Sequence, residues 1–82
     1  MATIYRTDGS TDTVTPETES FTLHEAQAII GGLLEIVRLE EDFLIVDEEG
    51  LLKGLPINPQ ATMLAKRMIV GTALLTNDEE FN

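Results

Sequence analysis

Two short runs dense in Leu, Ile and Val, at residues 33–39 and 43–46, are separated only by Glu40, Glu41 and Asp42. A helix that stands by itself needs roughly 12 to 15 residues, and β-branched side chains pack better on a pleated surface. The two runs therefore read as strands, and the acidic triplet between them is a solvated turn that lets the chain fold back. An antiparallel hairpin of this kind commits the chain to a sheet, and the apolar side of a sheet must be covered by another layer.

The flanking segments supply more strands and two covering elements. Ala2, Thr3, Ile4 and Tyr5 favour strand, and Asp8-Gly9 suits a type I′ hairpin turn, with residues 12–14 returning. Pro16, which cannot donate to a ladder, stops that strand. Thr22 and Glu25 have capping-box spacing, Leu23, Ala26, Ile29 and Ile30 share one helical face, and Gly31-Gly32 ends this short helix. Residues 51–57, punctuated by Gly54 and Pro56, form a structured loop over the core. Asn58-Pro59 starts a second helix over 59–67, with Ala61, Leu64 and Ala65 inward and Lys66 and Arg67 in its last turn. Residues 68–75 read as a final, central strand, apolar on both alternating faces.

The order is β-β-α-β-β-α-β, an α+β fold with a mainly antiparallel sheet of about five strands and two short helices on one face. One domain covers residues 1–76, followed by an acidic, frayed tail at 77–82. Ile36, Val37, Ile45, Ile69 and Val70 fall on both alternating sets, so the other sheet face stays partly apolar, which favours a homodimer.

Composition removes several function classes. With no Cys among 82 residues there is no disulfide, thiolate metal site or cysteine nucleophile. The net charge of −10 repels phosphate backbones and anionic lipids, so direct nucleic-acid binding and membrane association are not expected. No apolar run approaches the ~20 residues of a membrane span, and no signal peptide opens the chain, so the expected compartment is the cytoplasm. His24 is the sole imidazole and no Ser lies in a nucleophile elbow, so neither an enzyme nor a cofactor is expected.

The middle of the chain has a recognisable pattern. Phe21-Thr-Leu-His-Glu-Ala-Gln27, Gly31-Gly32, Glu35-Ile-Val37, Val46-Asp-Glu-Glu-Gly50, Leu52-Lys-Gly-Leu-Pro-Ile-Asn58, Ala61-Thr62 and Ile69-Val-Gly-Thr72 resemble domain-of-unknown-function family 3846 over roughly residues 20–75. The resemblance implies a small bacterial, cyanobacterial or phage protein and carries no activity with it. The family's central turn often reads Asn-Glu-Glu-Gly, where this chain has Asp47.

Three groups of residues could carry function. Lys53 and Gly54, followed by Asn58 at a helix start, could bind a nucleotide or another small phosphorylated ligand, although Pro59 removes one donor and no phosphate-loop pattern is present. Asp47, Glu48 and Glu49 cluster carboxylates, but consecutive turn residues point apart and fit solvation better than a metal site. Glu40 and Glu41, together with that second turn, could form an acidic partner surface. The leading expectation is a non-catalytic accessory or regulatory protein acting by protein–protein contact. The alternatives are a module that sequesters a phosphorylated ligand and an acidic DNA mimic.

Overall fold

A computed structural model describes residues 1–81. Its first hairpin pairs β1 (Ala2–Tyr5) with β2 (Thr11–Val14). Only Gly9 takes a positive φ, of 91°, while its N–H donates to the Arg6 carbonyl at 3.1 Å and Asp8 accepts from the Ser10 N–H at 2.8 Å. The turn is therefore not the expected type I′: Asp8 needs no left-handed backbone because its carboxylate stabilises the turn instead.

Helix α1 (Leu23–Ile30) has the expected capping box, with the Thr22 hydroxyl accepting from the Glu25 N–H at 3.1 Å and Glu25 accepting from the Thr22 N–H at 3.0 Å. Strands β3 (Leu34–Arg38) and β4 (Phe43–Asp47) form the hairpin around the acidic turn. Helix α2 (Pro59–Ala65) and strand β5 (Ala73–Thr76) complete the chain, and the sheet order is β2-β1-β5-β4-β3, antiparallel throughout. The α+β class, the five strands and the order of elements agree with the sequence. So does the central place of β5.

The helices, however, lie on opposite faces of the sheet, not on one. Phe43, Ile45 and Leu74 point to the side where Ala26 and Ile30 of α1 pack, with Ala2 and Ile4. Leu44, Val46 and Ala73 point to the other side, against Ala61 of α2, Val37 and Ile69. Every residue of β4 is buried. A strand apolar on both faces needs cover on both, and with only two helices available each face receives one.

Three boundaries also shift. Gly71, at φ 79°, turns the chain where a Cβ would come within 2.7 Å of Leu55, so β5 starts at Ala73 and Val70 instead bridges to Ile57. Lys66 is left-handed, φ 58°, and closes α2 two residues early, so Lys66 and Arg67 leave the last turn, and Leu64 is 40% exposed instead of inward. The acidic segment is built into the fold and not frayed: Phe81 bridges to Phe21, and its ring meets Phe43 edge-on at 6.1 Å between centroids. Asn82, the remainder of that segment, lies outside the described residues.

An aromatic contact of this kind adds about 0.5 to 1.5 kcal/mol to area burial, so Phe81→Ala should lower stability by about 1 to 2 kcal/mol. Urea denaturation checks this; an unchanged midpoint would show a free tail. Among the described residues, no helix is long and apolar enough to cross a membrane.

Candidate functional site

Asp47 closes β4 with its side chain on the α1 side of the sheet, beside the turn that leads from α1 into β3. That turn passes close because Gly32 has no Cβ: a Cβ there would collide with Lys53 Nζ and come within 3.0 Å of Asp47 Oδ2. In the space left, Lys53 Nζ donates to Asp47 Oδ2 at 2.7 Å and to the Gly31 carbonyl at 3.3 Å. Asp47 Oδ1 accepts from the Glu49 N–H at 2.8 Å. The Lys53 hydrogen bond, opposed by burial, holds the Asp47 carboxyl below its usual range. Lys53 thus clasps the end of β4 to the end of α1, where a cation also meets the negative pole of the helix.

Asn58 is committed to structure as well. It is fully buried; its side-chain amide donates to the carbonyls of Tyr5 at 2.8 Å and Gly71 at 2.9 Å, and its oxygen accepts from the Ala61 N–H at 3.1 Å. Gly54 has φ 70° and closes a turn by donating to the Leu51 carbonyl at 3.1 Å. Lys53 and Asn58 therefore spend their polar groups on separate structural contacts, and the three residues do not converge on a common ligand position. A recess of about 70 Å³ beside Asp47, lined by Glu35, Leu51 and Arg67 among others, is far below the roughly 300 Å³ or more of a small-molecule pocket. Two wider recesses, of about 440 Å³ at Tyr5, Gln60, Met63 and Leu64 and about 390 Å³ at Arg38, Glu40 and Lys66, are open grooves away from Lys53 and Asn58.

The other sequence candidates separate in the same way. His24 is exposed, and both oxygens of its neighbour Glu25 accept backbone N–H groups, from Thr22 and Glu17, which lowers the Glu25 pKa. Asp47 turns to Lys53 while Glu48 faces solvent. Among the described residues no three His, Asp or Glu side chains form a group that could hold a metal ion.

Glu40 and Glu41 are exposed at one end of the β3–β4 ladder, and Glu48 and Glu49 follow β4 at the other. Ion pairs within the chain link Arg6 to Asp12, Arg38 to Asp78, Lys53 to Asp47 and Arg67 to Glu35, and the N-terminal amine to Glu80. Among the described residues, Glu40, Glu41, Asp42, Glu48 and Glu49 take part in none, and Lys66 is the single Lys or Arg left without an acid. Asp47 drops out of the acidic surface because its carboxylate faces inward.

Between the two acidic ends runs an open sheet edge that the sequence did not reveal. The Leu39 N–H donates to the Asp42 carbonyl, and the Glu48 N–H donates to that of Leu33. Antiparallel ladders alternate, so residues 33, 35, 37 and 39 bond to β4 while Leu34, Ile36 and Arg38 turn their backbone groups outward. Ile36 is 46% exposed. Periodicity names a strand without naming its neighbours, which is why the edge was hidden.

The family model described as domain of unknown function (DUF3846) matches residues 3–82. The match takes in the first hairpin and the acidic segment, both outside the 20–75 region whose residues carry the resemblance. No curated protein and no solved structure matches the chain.

Proposed function

For this chain, which belongs to the DUF3846 family, we propose a non-catalytic accessory role in which the two acidic ends of the β3–β4 hairpin dock on a protein partner. The carrying observation is the distribution of ion pairs. The chain pairs all but one of its Lys and Arg side chains, and among the described acids left without an ion pair, which also include Asp8, Glu17, Glu19, Glu25 and Glu79, Glu40, Glu41, Asp42, Glu48 and Glu49 gather at the two ends of one sheet edge. Like charges held close together repel, and a cationic surface relieves that repulsion while steering its own approach. The ligand-sequestering alternative has less support, because Lys53 and Asn58 are already engaged.

The uncovered sheet face that favoured a homodimer is absent, since each face carries a helix. A second copy that buried exposed side chains such as Leu51, Leu52, Met63 and Met68 would do so against a charge of −10 on each copy.

Two triple variants test the reading at equal charge. Glu40→Gln, Glu41→Gln, Glu48→Gln and the remote set Asp8→Asn, Glu17→Gln, Glu19→Gln each change the net charge from −10 to −7. In affinity capture from the source organism with quantitative mass spectrometry, the hairpin set should lose its partner by roughly tenfold, since charge pairs at interfaces couple by about 1.5 kcal/mol or more. The remote set should retain it. Equal retention by both variants would rule out the hairpin.

A further inference from the structure

We propose that the free edge of β3 accepts an extended cationic peptide segment as a sixth strand of the sheet. The inference rests on the docking role of the acidic hairpin and specifies the partner's form. Leu34, Ile36 and Arg38 each present an N–H and a C=O outward, the row of groups that an added strand pairs with. At about 3.3 Å per residue, a segment of about five residues runs the length of β3, and one more residue at either end reaches the acidic turns. The peptide's side chains on the α1 face would lie beside Ile36, which suits an apolar residue at the centre and Lys or Arg at both ends.

Charge selects this occupant over a second copy of the chain. A two-fold β3–β3 pairing runs antiparallel, which brings Glu40, Glu41 and Asp42 of one copy against Glu48 and Glu49 of the other. A cationic segment meets carboxylates at both of its ends instead. The opposite edge of the sheet, β2, is less suited: it carries Thr11, Asp12 and Thr13, and Asp12 is paired with Arg6 at 2.6 Å.

The test is fluorescence anisotropy of a labelled Lys-Arg-Thr-Val-Thr-Arg-Lys peptide against the full chain. Two N-methylated forms, blocked at the odd or at the even backbone amides, keep the charge but remove alternate donors. Strand addition uses one alternate set, so one form should bind at least tenfold more weakly and the other nearly as well as the parent. Ile36→Pro removes only an outward N–H and should weaken the parent peptide similarly, while Glu40→Gln, Glu41→Gln, Glu48→Gln should weaken it and flatten its salt dependence.

Equal binding of both N-methylated forms would overturn the sixth strand and leave an acidic docking surface without it. Parent binding no tighter than that of Glu-Asp-Thr-Val-Thr-Asp-Glu would overturn the cationic segment; release of the captured partner by the Gln variant would then keep the docking role for a folded partner. A dimer in sedimentation that Ile36→Pro dissociates would assign the edge to a second copy and overturn the proposal.

Discussion

Replacing Asn58 with Asp is expected to destabilise the protein at neutral pH by about 2 to 4 kcal/mol, even though Asp is as good an N-cap as Asn. One oxygen of the new side chain could still accept from the Ala61 N–H. The other would face the carbonyls of Tyr5 and Gly71, to which the Asn58 amide now donates. Burial at 0% exposure gives a carboxylate there no water to replace the lost donors. That environment raises the variant's folded pKa above its unfolded value, so the deficit grows as pH rises through the folded pKa and shrinks at lower pH, where the protonated acid regains one donor. Urea denaturation of wild type, Asn58→Asp and Asn58→Ala at pH 7 and pH 4.5 checks this. If Asn58→Asp matched wild type at pH 7, Asn58 would serve only as a cap, and its two carbonyl contacts would contribute nothing.

Lys53→Glu should also lower stability, by about 2 to 3 kcal/mol, or on the order of 10 °C in Tm. A ligand-binding lysine would be expendable for folding, so this variant separates the two roles. Asp47, whose side chain is 2% exposed, would lose its cation and face a second carboxylate. Lys53→Met should cost less, about 1 kcal/mol, because the Lys53 side chain is itself 37% exposed and its charge is the part that matters; water can enter once the ammonium is gone. In the wild type the folded pKa of Asp47 is depressed. Its contribution is therefore present above the unfolded value of about 3.9 and lost as pH falls through the folded value. In Lys53→Glu the two carboxyls raise each other's folded pKa, so the gap to wild type is widest near pH 7 and narrows toward pH 4. A Tm equal to wild type at pH 7 would remove the clasp.

Local chemistry in the sequence was legible where one stretch decides its own shape. The Thr22–Glu25 capping box, the Asn58-Pro59 helix start and the acidic turn of the β3–β4 hairpin each depend on neighbours a few residues away. What the sequence hid depends on distant segments meeting. Helical spacing puts Leu64 inward, but α2 already ends at Ala65, capped by left-handed Lys66, and Leu64 is half-exposed. Phe81 reads as tail in the sequence because its partners Phe21 and Phe43 lie far away along the chain. Lys53 and Asn58 have the composition of an anion loop. Their actual contacts, Asp47 and Gly31 for one and Tyr5 and Gly71 for the other, follow from packing that no local spacing encodes.

The position of β5 has a consequence for synthesis. Strands β1 and β4 never pair with each other; each pairs with β5, at residues 73–76. While the ribosome is still making the first 70 residues, the nascent chain can hold two hairpins, each with an inner edge that has no neighbour. The sheet becomes continuous only when β5 slots between them, so closure waits until residues 73–76 have been made, and a product cut short before residue 73 is left with two exposed edges in place of a core.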